Sequence, residues 1–449
     1  MIEFLQIFLS FIFFSLIITV PVNIIDSKIF INKKFLSLNV ASFNLILNCN
    51  ILLLISFLPI SLNVLNLFFI FIYSIIFIYN YFIKNIRFNL VKNFIKSISI
   101  FLMIFLIIST NVASELNLGW DAKYFYYIKA LFFIENQNFG DLNKFAGNVF
   151  HPHLGSFFWA FFWNLMPLKL EYFGRLFYVF LFCFSIFYIC HNNLKDKFFE
   201  NTIFILIILV SYLYERFSGL QEILIFSFLI IISKYFYLLK NSNNTWYVIF
   251  IILTCNLIIW FKSEGIVYSA ILVLLLNFST QISKKIKIYS NLFYISLVIL
   301  KLIIYQYFDF TLGQINIYQT ESLNLGVQPY YLDYIFNLNL AIIFHKLKFI
   351  LPFLFYYSLI NVFFVIGIII LLKLNFKKKI DNYTKTVNYY FIFIIIFIIC
   401  AYLFRDLEIE FSVRTTMERI IFTTSGFYVF LIIDFIKSLN KNFLKQTYN

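Results

Sequence analysis

Long apolar runs separated by short polar gaps make up most of the chain. They fall at about 2–25, 43–62, 64–83, 94–113, 153–168, 174–190, 201–214, 219–239, 246–262, 265–278, 288–306, 346–372, 387–404 and 417–436. A helix needs about 20 apolar residues to cross a hydrocarbon layer about 30 Å thick. A membrane β-strand would instead show weak alternation over about ten residues. Stretches such as Asn361–Leu372 (NVFFVIGIIILL) do not alternate. The pattern predicts an all-α, polytopic transmembrane protein.

Composition agrees with the pattern. Of 449 residues, 62% are hydrophobic and 12% charged, against about 25% charged in soluble domains. The mean hydropathy is +0.89. A net charge of +14 would suit nucleic acid, but the lysines sit in the gaps between apolar runs, where they set topology. We therefore expect no nucleic-acid partner. Basic gaps at 26–40, 84–97, 279–290 and 373–385 and in the tail beyond 436 are expected on the cytoplasmic side. The polar stretches 114–152, 307–345 and 405–416 then become outer loops.

Lys195 and Lys197 also belong inside, which requires that 153–168 not cross fully. At 16 residues it is short enough to be re-entrant or interfacial. The expectation is thirteen crossings among fourteen apolar segments, with the N-terminus out and the C-terminus in. The apolar start from Ile2 to about Ile25 lacks a basic lead and a small-residue cleavage site. It reads as a retained span of a multi-pass inner- or plasma-membrane protein.

The five cysteines, Cys49, Cys183, Cys190, Cys255 and Cys400, lie in or beside apolar runs with no CxxC spacing. Buried thiols are expected, neither bridged nor metal-binding. No internal repeat is evident, and 11 Gly and 6 Pro are few for the broken helices of transporters.

Ionisable residues at membrane depth are costly and mark sites or pathways. Under this topology they converge on the outer face. Asp121 lies in the first outer loop, and Glu215, Arg216 and Glu222 at an outer turn. Lys262 and Glu264 lie at another turn, and Arg405, Arg414, Glu418 and Arg419 at the last. Cations bind phosphate, Arg bidentately. A carboxylate can deprotonate a hydroxyl, or hold a divalent cation against a diphosphate. Such a set suits group transfer from a lipid phosphate carrier whose tail stays in the bilayer.

GWDAKYFYYIKALFF (119–133) followed by NVFHPHLGSFFWAFFWNL (148–165) resembles the first outer loop of the GT-C superfamily of membrane glycosyltransferases. That group includes protein O-mannosyltransferases and lipid A aminoarabinose transferases. The family's loop opens with an Asp, often Asp-Glu, and runs through an interfacial helix to a His/Tyr-Pro-Pro-Leu element, for which HPHL (151–154) stands here. LEYFGRLFYVFLF (170–182) resembles the family's Gly-x-x-aromatic-x-x-Arg-Leu stretch. ERFSGLQEILIF (215–226) is similar to the turn carrying a second acid, matched by Glu222. KSEGIVYS (262–269) and RTTMERIIF (414–422) resemble later outer segments. The likeness covers roughly 110–270 and, more thinly, 405–425. It implies a GT-C-like domain at 94–449 preceded by three extra helices at 1–93. Ala122 replaces the second acid and His153 the second Pro.

The resemblance implies transfer of a sugar from a polyprenyl-phosphate donor to a hydroxyl of a glycan, lipid or protein. Asp121 is then the catalytic base, with His151, Glu222, Lys262, Glu264, Arg414 and Arg419 binding substrate. Each residue also has a structural alternative. Asp121 could cap a helix over 122–134 that lies flat in the interface. Lys262 and Glu264 could pair with each other, and the arginines could snorkel. His151 and His153 could flank Pro152 at the interface or bind a metal. Competing functions are a transporter or lipid flippase and an O-antigen polymerase or ligase. The latter expects Arg in its major loop, and 307–345 has none.

Overall fold

The computed structural model describes residues 2–19, 38–79, 91–115, 117–144, 151–191, 197–214, 217–241, 245–308, 310, 340–376, 380–404 and 409–447. All regular structure among them is helical. Eight helices are long and apolar enough to cross a membrane, and five apolar ones are shorter. Glu215, Arg216, Lys195, Arg405 and most of the expected outer loop 307–345 lie outside the described residues. The chain forms two compact units, 1–146 with 152–227 and 147–151 with 228–449.

The first unit is built on α7 (Tyr172–Cys190), whose residues are all buried. Around it lie α1 (Ile2–Thr19), α2 (Leu38–Ile55), α3 (Leu62–Ile78), α4 (Val91–Ser114), α6 (Leu154–Leu165) and α8 (Lys197–Tyr212). The helices expected as an N-terminal addition are part of this core. Phe11 of α1 meets Phe101, Phe105 and Phe180 at ring-centroid separations of 5.3, 5.3 and 6.0 Å. Phe14 meets Phe162 edge-on at 5.2 Å. Tilted and edge-on rings are what the aromatic quadrupole favours. The last carbonyls of a helix have no partner within it. Here Asn44 and Asn48 of α2 donate to Ile18 and Ile17 of α1, at 2.8 and 2.7 Å.

Between α4 and α6 runs a short helical stretch, a π-turn at Ala122–Tyr127 continuing into α5 (Ile128–Ile134), then a 3-10 turn at Phe139–Lys144. One face of 120–134 is buried through Ala122, Tyr126, Lys129, Ala130 and Phe133, while Trp120, Lys123 and Tyr124 are exposed. This matches the expected two-faced helix. At 1.5 Å per residue, the 12 residues of α6 reach only about 18 Å, short of the roughly 30 Å a crossing needs.

The second unit holds α10 (Thr245–Phe261), α11 (Gly265–Phe278), α12 (Lys284–Tyr307), α13 (Leu340–Ile360), α14 (Val362–Phe376), α15 (Asn382–Leu403) and α16 (Ile409–Thr447). The apolar run 346–372 is two helices. The break is at Asn361, whose side chain accepts from Phe364 N at 3.0 Å, as Asn favours at helix starts. The boundary between units falls in α9 (Glu222–Asn241). All five cysteines are free thiols; four are buried and Cys400 is half-buried.

Candidate functional site

In the first unit, four chain segments meet at one end: the loop after α4, the start of α6, the start of α7 and the loop before α9. Arg175, one turn into α7, joins three of them. Its Nε and one terminal nitrogen each donate to the Glu171 carboxylate at 2.9 Å. The other terminal nitrogen donates to Phe217 O at 3.0 Å, and the first reaches Glu115 O at 3.5 Å. The side chains are 1% and 19% exposed. A forked guanidinium–carboxylate pair is strong and directional, and here its remaining donors tie down two loops.

The loop before α9 is shaped to receive that clamp. Phe217 has a φ of 55° and Gly219 a φ of 89°, a region that side chains rarely adopt. Gly219 also lies so close to Trp159 that a Cβ there would sit 2.5 Å from the ring. Ser218 O accepts from Gly119 N at 2.9 Å, which fixes the loop before α9 against the residues just ahead of Asp121.

Asp121 therefore stands on a fixed support. Its backbone is already helical (φ −60°, ψ −37°), and its side chain makes no capping bond to the helix. The capping alternative does not hold. The π-turn follows directly, with Lys123 N bonded to Gly119 O at 2.8 Å; such turns concentrate at functional sites. Ala122 is wholly buried. A Cβ added at Gly219 would lie 3.1 Å from that of Ala122, so the loop before α9 packs directly on this residue. Tyr127 stacks on Trp163 at 6.1 Å, and burial followed by the Glu171 charge raises its pKa. Burial also lowers Lys129 from 10.5 to about 7.

Glu222 is the first residue of α9 and 2% exposed. An acid there faces the positive end of the helix dipole. Gln221 beside it donates to the Tyr178 hydroxyl at 3.0 Å, which donates to Gly155 O at 2.8 Å. Because Ser218 and Gly219 abut Gly119 and Ala122, Asp121 and Glu222 share this end of the unit. His153 is buried among Phe57, Phe133 and Phe139, with Nε2 2.7 Å from Ser56 Oγ. It fixes the start of α6 to the end of α2. His151 is half-buried just before it.

The other sequence candidates, and His151 with them, belong to the second unit. Lys262 lies 4.0 Å from Glu264, so they pair as their spacing allows. Arg414 is 61% exposed and pairs with Glu410 one turn earlier, its guanidinium 5.6 Å from the centre of the Phe353 ring. Arg419 lies on α16 one turn further along. Among the described residues, no three His, Cys, Asp or Glu side chains gather to hold a metal ion.

Sequence reasoning gave little weight to Arg175 and none to Glu171, Tyr178 or Gln221. The spacing of Glu171 and Arg175, one helical turn apart at the head of an apolar run, was the available signal. No family model, no curated protein and no solved structure matches the chain.

Proposed function

We propose that the chain is an integral membrane glycosyltransferase. It moves a sugar from a polyprenyl-phosphate carrier to an acceptor hydroxyl at the outer face of the membrane. In this reading Asp121 takes the hydroxyl proton as the oxygen attacks the anomeric carbon, and phosphate leaves with its bond pair. General-base catalysis of this kind contributes roughly 10²–10⁴-fold. Glu222, at the same end of the first unit, is the second acid of this reading. A divalent cation held by a carboxylate remains one way to bind a diphosphate.

The observation that carries the proposal is Asp121 itself. It is an acid at a helix start that does not cap its helix, set on loops held by a buried Arg–Glu clamp. Preorganised acids on rigid supports are what proton transfer needs. The resemblance over roughly 110–270 adds the reaction class. The topology that goes with it keeps 153–168 from crossing, and the length of α6 supports that point.

The test is sugar transfer from a radiolabelled polyprenyl-phosphate sugar pool in membranes, comparing the wild-type chain with Asp121→Asn. Loss of transfer at unchanged expression is expected. Equal transfer by both proteins removes Asp121 from the chemistry. No transfer from any pool brings the transporter reading forward.

A further inference from the structure

A second feature belongs to the second unit and does not depend on the glycosyltransferase reading. In the second unit, α10 and α12 run in the same direction. Their first halves leave between them a groove of about 680 Å³, walled by Val248, Ile249, Ile252, Ile286, Phe293 and Ser296. That volume lies within the roughly 300–1,000 Å³ of ligand pockets. Further along, the helices close together. Lys301 Nζ donates to Ile259 O at 2.7 Å and sits 5.3 Å from both the Trp260 and Tyr305 rings. From Ile286 to Ser296 the groove extends about 15 Å at 1.5 Å per residue. This is half of a hydrocarbon layer about 30 Å thick, the reach of one acyl chain in one leaflet.

The first turn of α12, beside one end of the groove, is basic. Ile286, in its wall, lies between Lys285 and Lys287, with Lys284 before them. Lys284 and Lys285 are exposed, whereas Lys287 donates to Asn277 O at 2.7 Å. The first turn of α12 carries no acidic residue. Thr245 and Ser290 add hydroxyls near the same end. A slot one leaflet deep, apolar along its walls and positively charged at its mouth, matches a molecule with one long tail and an anionic head.

We infer that this groove is a binding site for an anionic glycerophospholipid of the adjoining leaflet, an acyl chain lying between α10 and α12 and the headgroup phosphate at Lys284 and Lys285. Each lysine near an anionic surface favours binding by about a factor of five. The pair should therefore give a preference of roughly 25-fold over a zwitterionic lipid.

The test uses the full-length protein delipidated in detergent, with thermal stability and native mass spectrometry as readouts. Long-chain phosphatidylglycerol should stabilise the protein and remain as a resolved adduct, with phosphatidylcholine roughly 25-fold weaker. Lys284→Gln with Lys285→Gln, both at exposed positions, should abolish the preference while leaving lipid-free stability unchanged. Ser296→Trp, which fills the groove, should weaken long-chain binding. Dihexanoyl phosphatidylglycerol, too short to occupy the slot, should bind poorly to every form. Equal binding of the two long-chain lipids overturns the proposal, as does a preference that survives the double Gln variant. Short-chain binding equal to long-chain binding removes the groove from the site.

Discussion

The charged groups of the two units behave differently. At the loop end of the first unit, Arg175 and Glu171 are mostly buried and hold two backbone segments as well as each other. In the second unit, Arg414 and Glu410 are 61% and 43% exposed and neighbours on one helix. A buried pair must be fully satisfied, because either charge left alone is costly. An exposed pair is already solvated and contributes little. Burial thus separates charges that shape the fold from charges left available to a ligand. Sequence makes no such distinction, since Arg175 and Arg414 both follow an acid by four positions.

The comparison can be broken most directly at the clamp. Glu171→Ala leaves Arg175 buried and uncompensated, and should cost about 3–5 kcal/mol. Thermal unfolding of the detergent-purified protein measures this. A loss below about 1 kcal/mol would place the clamp with the surface pairs. Gly219→Ala forces a side chain into a positive φ and against Trp159. It should destabilise by about 1–3 kcal/mol and, by shifting the loop bonded to Gly119, reduce any transfer activity.

A further effect should appear as a pH dependence. Lys129 is protonated up to 10.5 when unfolded but only up to about 7 when folded. Between those values the unfolded chain binds more protons, so stability rises with pH. The cost of burying Lys129 is full below pH 7 and gone above 10.5. Denaturation midpoints from pH 6.5 to 10 should climb, and Lys129→Met should flatten the slope. The smallest change is expected from Arg414→Ala. Loss of its exposed pair should shift stability by less than about 1 kcal/mol, so a larger loss measured the same way would mean that α16 depends on it.

Much of the fold was legible in the sequence. Twenty-residue apolar runs allow little besides membrane helices, because backbone polar groups in hydrocarbon must bond within their own segment. The short run 153–168 forms a 12-residue helix, as its length suggested. The break at Asn361 was less visible, since one polar residue in a long apolar run does not show whether it caps a helix or faces a neighbour. In the candidate site, Asp121 stood out because charge is rare in its surroundings. Its supports did not, since Phe217 and Glu115 contribute carbonyls, which every residue has.

By itself, the sequence determined that the chain is a multi-pass helical protein, and that Asp121 and Glu222 are rare charges beside or within apolar runs. Those properties follow from local hydrophobicity and helix length. Only the tertiary structure decided that Arg175 is a buried clamp while Arg414 is an exposed pair, that Asp121 begins a helix without capping it, and that α10 and α12 part to leave a slot with a basic mouth. Each depends on what distant segments place beside a residue, and burial, strain and charge compensation are properties of that assembled surrounding.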